Sequence, residues 1–220
     1  KCLVPWLAGG RHVVVVASEA DGLAAFVVPR DAAGLGAEPE RNLGLCGLPT
    51  VELSLDGVRA SADQRLAAND ADLRRLIARA RIALAAAALG TARASFEVAR
   101  DYAKQRETFG QPIATRQAIA FKLADMATQI DAARLLTWRA ASMAKSGVAF
   151  DHAEGSMAKL FASEVAVRVT EQAIQIHGAT GMSQWTPLAE LYADVRHLRF
   201  ADGPDEVHHM VVGRNEVAMH

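Results

Sequence analysis

The sequence predicts a mainly α-helical protein, in which a bundle of long antiparallel helices follows a partial β-sandwich or β-barrel segment. β-branched apolar runs are confined to the first part of the 220-residue chain. After Asp70, apolar residues recur at steps of three and four, and loop signals become widely spaced. We therefore expect a partial β domain over residues 1–65 and a helical domain over residues 66–220.

The β segment is predicted from three strand-like runs. Residues 13–17 (VVVVA) and 23–29 (LAAFVVP) are apolar and rich in β-branched side chains, and residues 19–22 between them are typical of a turn. Residues 51–58 carry apolar side chains at positions 51, 53 and 55, the alternation of a half-buried strand. Gly and Pro are frequent from residue 29 to residue 49, which predicts loops there.

Three apolar stripes predict three long helices of roughly 25 to 35 residues each. The stripes are Leu73, Ile77, Ala80, Leu84, Ala87, Thr91, Ser95, Val98 and Tyr102; then Ile119, Leu123, Met126, Ile130, Ala133, Thr137 and Ala140; then Met157, Phe161, Val165, Val169 and Ile176. Loops are expected near Gly110, at Ser146-Gly147 and from Gly178 to Gly181. The alanines at 85–88 either permit close helix packing or reflect helix propensity alone.

Composition and charge exclude several classes of protein. A formal net charge of −1 argues against a nucleic-acid binder or a binder of anionic membranes, because no excess of cations can neutralise phosphates. The uncharged run from Ile82 to Ala92 is too short to span a bilayer. Cys2 and Cys46 are far apart, which indicates reduced thiols and a cytoplasmic location. The chain starts at Lys1 in an extended stretch without a secretory signal, and we expect further residues upstream.

Two loops contain residues that suit a phosphorylated ligand. Arg106 follows the first long helix, where its guanidinium could bind phosphate through two nitrogens or could complement the carbonyl end of that helix. In the loop QIHGATGM, Gly178 is suited to the residue that follows a helix, while Gly178, Ala179 and Gly181 could let the backbone approach a bulky ligand. His177 is expected to be a packing residue.

The segment RFADGPDEVHHM, residues 199–210, predicts the start of a helix and no metal site. Pro204 suits the first helical position, with Gly203 as the N-cap, and acidic residues follow in the first turn. His208 and His209 are adjacent, so their side chains diverge by about 100° and do not face one metal ion together. Asp202 lies just outside the helix and is free for chemistry.

Taken together and in order, the motifs RETFGQPIATRQ (106–117), QIHGATG (175–181) and PLAELYADVRHLRFADGPDEVHHMVVGR (187–214) resemble the FAD-dependent acyl-CoA dehydrogenase family. Upstream, AFVVPRDAAGL (25–35) and LGLCGLPTVELSLDGVRA (43–60) resemble the second half of the family's central β domain. The resemblance implies a C-terminal four-helix bundle. It also implies an acyl-CoA substrate, FAD as cofactor, a homodimer or homotetramer, and an electron-transfer flavoprotein as acceptor.

The resemblance assigns roles residue by residue. The positions expected to contact FAD, partly that of a neighbouring subunit, are Arg106, Phe109, Gln117, Gln175, Gly178, Ala179 and Gly203. Arg81 matches a helix arginine near the substrate and the flavin, and the role of Arg214 stays open. Ala179 replaces the family's usual glycine, and Pro204 replaces a threonine.

Asp202 falls where most members of the family carry a catalytic glutamate. Some members carry the base beside the Arg81 position instead, where this chain has Ala80, which cannot accept a proton. The resemblance therefore implies that Asp202 abstracts the α-proton of an acyl-CoA thioester while a hydride leaves the β-carbon for the flavin. Burial of Asp202 is expected to raise its pKa toward the working range.

Two alternative functions remain open at this point. One is a flavin oxidase on the same scaffold, including the nitroalkane-oxidising type, which also uses an aspartate base. The other is a non-catalytic subunit that completes a partner's flavin site, which the Thr-to-Pro change at Pro204 favours.

Overall fold

The computed structural model describes residues 1–6, 10–146 and 152–218. The chain forms two compact units, Lys1–Leu76 and Ile77–His220. The first contains the strands between residues 4 and 55, and the second contains most of the helical residues, which confirms the predicted mainly α fold. The domain boundary expected at residues 65 and 66 stays a prediction.

The first unit contains two antiparallel sheets. Its strands are β1 (Val4–Pro5), β2 (His12–Glu19), β3 (Gly22–Pro29), β4 (Leu35–Pro39) and β5 (Thr50–Leu55). β2 and β3 form a hairpin whose last pair is Glu19 with Gly22, so the predicted turn and both flanking strands are confirmed. The other sheet has the order β1-β5-β4. Val51 and Leu53 of β5 are buried, as the alternation predicted, whereas Leu55 is exposed.

Strand β4 lies where the sequence predicted only loops. It pairs with β5 from Leu35 opposite Leu55 to Pro39 opposite Val51. Gly36 and Pro39 weaken the strand signal of this segment, but pairing with an apolar neighbour overrides a low intrinsic propensity. A Cβ atom at Gly36 would lie 2.5 Å from the Oγ atom of Ser54, so glycine suits this close pairing.

The long helices have the lengths that the sequence predicted. The helices are α1 (Asp70–Gln105), α2 (Gln117–Ser146), α3 (His152–His177), α4 (Leu188–His197) and α5 (Asp205–Ala218). α1 begins in the first unit, and its remainder belongs to the second. The loop predicted at Ser146-Gly147 lies partly outside the described residues, since Gly147 is not among them.

Hydrogen bonds between side chains fix the directions of the long helices. They join Arg81 Nη1 to Ser156 Oγ (2.8 Å), Ser95 Oγ to Thr170 Oγ1 (3.1 Å), Lys122 Nζ to Gln172 Oε1, and Arg139 Nη2 to Glu154 Oε2 (2.7 Å). The residue numbers of the bonded partners rise together along α1 and α3, so these two helices run parallel. Between α2 and α3, the residue number of one partner rises as that of the other falls, so α2 is antiparallel to α3.

The buried face of α1 differs from the predicted stripe. Ala80 and Ala87 are exposed. The buried residues of this helix beyond Leu73 are Ala78, Arg81, Ala85, Ala88, Ala92, Ser95, Ala99 and Ala103. An alanine-rich helix is apolar on nearly every face, so periodicity alone does not select the face that packs. The stripes predicted for α2 and α3 are confirmed, since Met126, Ile130 and Val165 are among their buried residues.

Of the helices in the described residues, α1 alone is long and apolar enough to cross a membrane. This finding carries little weight, because a core helix of a globular protein has the same length and composition. Its buried face packs in the hydrophobic core together with residues of α2 and α3. The expectation that the protein has no membrane partner stays a prediction.

Gly155 of α3 tests whether small residues hold α1 and α3 together. A Cβ atom at Gly155 would lie 2.6 Å from the carbonyl oxygen of Ala78, so Gly155→Ala forces the helices apart. We expect the free energy of unfolding to fall by about 1–3 kcal/mol, as overpacking of a core does. Urea unfolding followed by circular dichroism measures this.

Gly90 of α1 provides the matched control. A Cβ atom there would have no neighbour within 4 Å among the described residues. Gly90→Ala should therefore raise stability by about 0.5–1 kcal/mol, the difference in helix propensity. Equal effects of the two substitutions would contradict close packing at Gly155.

Candidate functional site

A cavity of about 570 Å³ lies where α1 and α3 end. Four of the predicted cofactor residues line it, namely Arg106, Gln175, Gly178 and Ala179. Because α1 and α3 run parallel, their C-terminal ends meet at the same end of the bundle. The parallel packing thus brings together two motifs that are 60 to 70 residues apart in the sequence.

Arg106 presents its guanidinium to this cavity. Its backbone continues the helix, since its N–H donates to the carbonyl of Tyr102 (2.8 Å). Its side chain is exposed and makes no hydrogen bond or ion pair within the described residues. The group is therefore available to an anion, while its position at the carbonyl end of α1 is also compatible with the alternative that it complements the helix dipole.

The loop after Arg106 is a short hairpin. It consists of β6 (Glu107–Thr108) and β7 (Gln111–Pro112). The connecting residues Phe109 and Gly110 both have positive φ, 51° and 73°, as a type I′ turn requires. Phe109 is 96% exposed, and its positive φ is an uncommon backbone conformation for a residue other than glycine.

Arg116 is a second cation at the cavity, and sequence reasoning missed it. Its Nη2 donates to the carbonyl of Thr108 (2.9 Å), which ties the hairpin to the start of α2. Its guanidinium carbon lies 5.8 Å from the centre of the Phe109 ring. The available signal was a second arginine in the same short loop. Gln117 is exposed at the first position of α2, and neither it nor Phe109 lines the cavity.

The glycine-rich segment after α3 has two separate roles. Gly178 has φ 60° and directly follows the helix, as expected of a residue that terminates it. A Cβ atom at Gly181 would lie 2.7 Å from the carbonyl of Ile174, so this glycine serves packing and not ligand approach. His177 is buried, stacks on Tyr102 at 4.1 Å and is hydrogen-bonded to Ala173, which confirms that it is a packing residue.

The candidate base lies on a strained turn between α4 and α5. Asp202 has φ 57° and Gly203 has φ 112°. A left-handed backbone at a residue other than glycine costs about 1–3 kcal/mol, although aspartate tolerates it better than most. The first bond of α5 runs from the N–H of His208 to the carbonyl of Pro204 (3.3 Å). Pro204 is therefore the N-cap, and the predicted assignment of this role to Gly203 is wrong by one residue.

Asp202 is exposed in this chain, so the predicted burial is wrong. Two cations behind the turn act on its charge electrostatically. Arg81 is 9% exposed and donates to Ser156, and burial lowers its pKa while Asp202 opposes this shift. Lys159 is fully buried, and burial lowers its pKa while Asp205 opposes the shift. The turn thus holds an exposed carboxylate in front of two desolvated cations.

Asp205 and His208 complete a buried polar cluster beneath the turn. The Nε atom of Arg199 donates to Asp205 Oδ2, while Asp205 Oδ1 lies 3.8 Å from Lys159 Nζ. Neither ring nitrogen of His208 reaches hydrogen-bonding geometry with a described residue. Lys159, Asp205 and His208 were missed as site residues. The available signal was a single lysine within an apolar helix, which sequence reasoning treats as solvated.

A metal site is absent from this cluster within the described residues, where no group of three His, Cys, Asp or Glu side chains could hold a metal ion. His208 is fully buried and its neighbour His209 is exposed. The two rings therefore diverge, as the helical geometry predicted.

The Asp202 turn and the cavity lie at different levels of the bundle. Arg81 and Arg106 are separated by 25 residues of α1, and Lys159 and Gln175 by 16 residues of α3. At 1.5 Å per residue, the two levels are about 25–35 Å apart. The Asp202 turn and the cavity are therefore well separated along the bundle.

The buried His208 should make stability depend on pH. Burial first, and then the charges of Lys159 and Arg81, lower its pKa from 6.5 to about 4. Because the unfolded chain binds the proton more readily, His208 contributes stability above pH 6.5 that is lost as the pH falls toward 4. We expect this part to amount to roughly 3 kcal/mol, measured as the difference between the wild type and His208→Leu in urea unfolding at each pH. His209→Gln is the exposed control, and equal pH dependence of the wild type and His208→Leu would contradict the assignment.

Comparison with known proteins places these features in a family. The protein-family model for the C-terminal domain of acyl-CoA dehydrogenases matches residues 72–217. A probable acyl-CoA dehydrogenase, YngJ of Bacillus subtilis, is 36% identical over 224 residues, which cover 97% of this chain and 59% of the relative. A 3-(aryl)acrylate reductase of Clostridium sporogenes is 38% identical over 198 residues, which cover 88% of this chain and 52% of the relative.

A solved structure agrees with this result. Butyryl-CoA dehydrogenase from Megasphaera elsdenii matches with a TM-score of 0.89 and 33% identity, over 99% of this chain and 59% of that protein. The chain therefore spans little more than half the length of the relatives it matches. The matched domain, the relatives and the fold together show that this chain belongs to the acyl-CoA dehydrogenase family.

Proposed function

We propose that the chain supplies the base and part of the cofactor site of an enzyme that dehydrogenates an acyl-CoA thioester between its α- and β-carbons. The observation that carries this proposal is the Asp202 turn, where an exposed carboxylate lies in front of Arg81 and Lys159 in a protein of this family. The resemblance gives Asp202 the position of the family's base. The proposed activity is that of the whole protein. The relatives that this chain matches are nearly twice as long as the chain.

The carboxylate of Asp202 is proposed to take the proton from the α-carbon. The thioester carbonyl makes this proton acidic, especially when hydrogen-bond donors meet the carbonyl oxygen in a site without water. Arg81 and Lys159 lie close enough to Asp202 to interact with its charge. The resemblance makes Arg81 the proposed contact with the substrate region.

FAD is the proposed cofactor, and it supplies a two-electron acceptor for the β-hydride. Members of the family are FAD-dependent flavoproteins. The cavity fits the phosphate and adenosine part of FAD, because it offers the guanidinium of Arg106, a second cation at Arg116 and open space beside Gly178. Gln175 and Ala179 line the same cavity. Phe109, Gln117 and Gly203 are proposed cofactor contacts from the resemblance.

The distance between the two levels supports a shared site in a homodimer or homotetramer. The resemblance assigns Arg106 to the cofactor of a neighbouring subunit, and the separation of the cavity from the Asp202 turn fits this assignment. We propose an electron-transfer flavoprotein as the acceptor of the reduced cofactor. The exposed free thiols of Cys2 and Cys46 fit a cytoplasmic location.

Replacement of Asp202 tests the role of the base. In the full-length, FAD-loaded protein, Asp202→Asn should slow bleaching of the flavin by saturated acyl-CoA thioesters by about 10²–10⁴-fold, because the amide accepts no proton. Asp202→Glu should be slower than the wild type, because its longer side chain misplaces the carboxylate. Stopped-flow absorbance measures both rates.

The exposed acid Glu206, four residues further on, provides the control, and Glu206→Gln should bleach at the wild-type rate. Bleaching of Asp202→Asn at the wild-type rate would exclude Asp202 as the base. Rapid reoxidation of the wild type by oxygen, without a flavoprotein acceptor, would favour the oxidase alternative.

Mixed oligomers test whether the cofactor site is shared. Arg106→Ala should weaken FAD binding by about 1.5–3 kcal/mol, the loss of one charged hydrogen bond, whereas Arg93→Ala on the exposed face of α1 should not. When Arg106→Ala and Asp202→Asn chains are co-expressed, a mixed pair combines the intact Asp202 of one chain with the intact Arg106 of the other. Activity should then exceed that of either variant alone. An activity no greater than the sum of the separate variants would contradict a shared site.

A further inference from the structure

The turn that carries Asp202 accepts a hydrogen bond from a buried lysine, Lys159. Lys159 lies on α3, 43 residues before Asp202 in the sequence, and its side chain is fully buried. Its Nζ atom donates a hydrogen bond of 2.9 Å to the carbonyl oxygen of Gly203. A buried ammonium group is unfavourable unless its hydrogen bonds are satisfied, so the partners of Lys159 indicate what it is for.

The partners of Lys159 belong to the turn and to the helix that follows it. Apart from Gly203, its closest charged neighbour is Asp205, with Nζ and Oδ1 3.8 Å apart. Asp205 is itself held by Arg199, at the end of the chain segment that enters the turn. The ammonium group therefore contacts the backbone of the turn and the first residue of α5 at once.

The turn itself needs such support. Asp202 and Gly203 both have positive φ, and a left-handed backbone at two successive residues, one of them not glycine, is strained. Pro204 has no N–H, so it cannot donate a hydrogen bond to fix the turn from its own backbone. Strained conformations persist only where the surrounding structure determines them. A charged donor in a rigid helix meets this requirement.

The position of Lys159 is in turn fixed by the packing of α3. Three residues earlier, Ser156 accepts a hydrogen bond from Arg81 of α1 (2.8 Å). One residue before that, Gly155 lies against Ala78. The contacts of Gly155, Ser156 and Lys159 lie within little more than one turn of α3. The position of Asp202 along the bundle is therefore set by the interface of α1 and α3.

We propose that Lys159 is a positioning residue, which holds the Asp202–Gly203 turn through the carbonyl of Gly203 and thereby sets the place of the Asp202 carboxylate. Its effect on the reaction rests on the proposed function, whereas its effect on the turn does not. Lys159 touches neither substrate nor reacting atoms in this role. Because about 1 Å of misplacement can cost about 10²-fold in rate, loosening the turn should lower kcat and leave substrate affinity nearly unchanged.

The test compares Lys159→Met with the wild type in the full-length, FAD-loaded protein. Methionine keeps the length and apolar stem of lysine and removes the donor. Hydrogen–deuterium exchange should become at least 10-fold faster in the peptide that covers residues 199–206. Flavin reduction by butyryl-CoA and by longer saturated acyl-CoAs should slow by 10- to 100-fold. The dissociation constant of an alkyl thioether analogue of CoA should change by less than 3-fold.

Arg168→Met is the matched control, because it removes a cation from an exposed position of the same helix. It should change neither exchange at residues 199–206 nor flavin reduction. If Lys159→Met does not fold, Lys159→Gln carries the same expectation, since its shorter side chain stays polar but does not reach the carbonyl of Gly203.

The two measurements separate the possible failures. Unchanged exchange at residues 199–206 in a folded Lys159 variant would overturn the proposal, and so would faster exchange with undiminished flavin reduction. If the wild type itself is not reduced by any acyl-CoA, the proposed dehydrogenation fails. Exchange then decides alone whether Lys159 holds the turn.

Discussion

The close packing of α1 against α3 is the constraint on which the candidate site depends. Gly155 removes the side chain that would collide with the carbonyl of Ala78, and a row of alanines continues the narrow interface along α1. Because the two helices run parallel and in close contact, residues at equal heights become neighbours. Arg81 thereby meets Ser156 near the start of α3, and the Arg106 loop meets Gly178 near its end. The positions of both functional regions follow from this one interface.

Buried charged side chains in the bundle reduce its stability. Arg81 and Lys159 are desolvated, and His208 remains without a hydrogen-bond partner among the described residues. A core of apolar side chains at these places would generally be at least as stable. The charges of Arg81 and Lys159 act on the carboxylate of Asp202. The two cations are buried, whereas the carboxylate is exposed. A site built in this way is rigid behind the carboxylate and open in front of it.

The functional loops could be predicted from the sequence, but the buried residues that support them were missed. Arg106, Gln175 and Gly178 were accessible because turns and helix ends need particular residues, which stand out against the helical pattern. The packing face of α1 was predicted wrongly, since alanine is apolar without being large and gives no periodic signal. Lys159 was missed, although a single lysine within an apolar helix was an available signal. A lysine side chain is assigned to solvent by its chemistry, and only the fold of α5 over α3 shows that its partners are a carbonyl and an aspartate.

The separation of the two levels also bears on how the family's chemistry can vary. A relative that is named as a reductase matches most of this chain, so the shared scaffold does not by itself determine the direction or the type of reaction. The cavity between α1 and α3 offers cations and open backbone, which suit the phosphate and adenosine end of a dinucleotide whatever reaction the cofactor performs. The turn at Asp202 holds the one exposed acid that faces the buried cations of Arg81 and Lys159 within the described residues. On the proposed function, the specific chemistry resides in this turn and its support, and the proposed role of the cavity is to bind the cofactor.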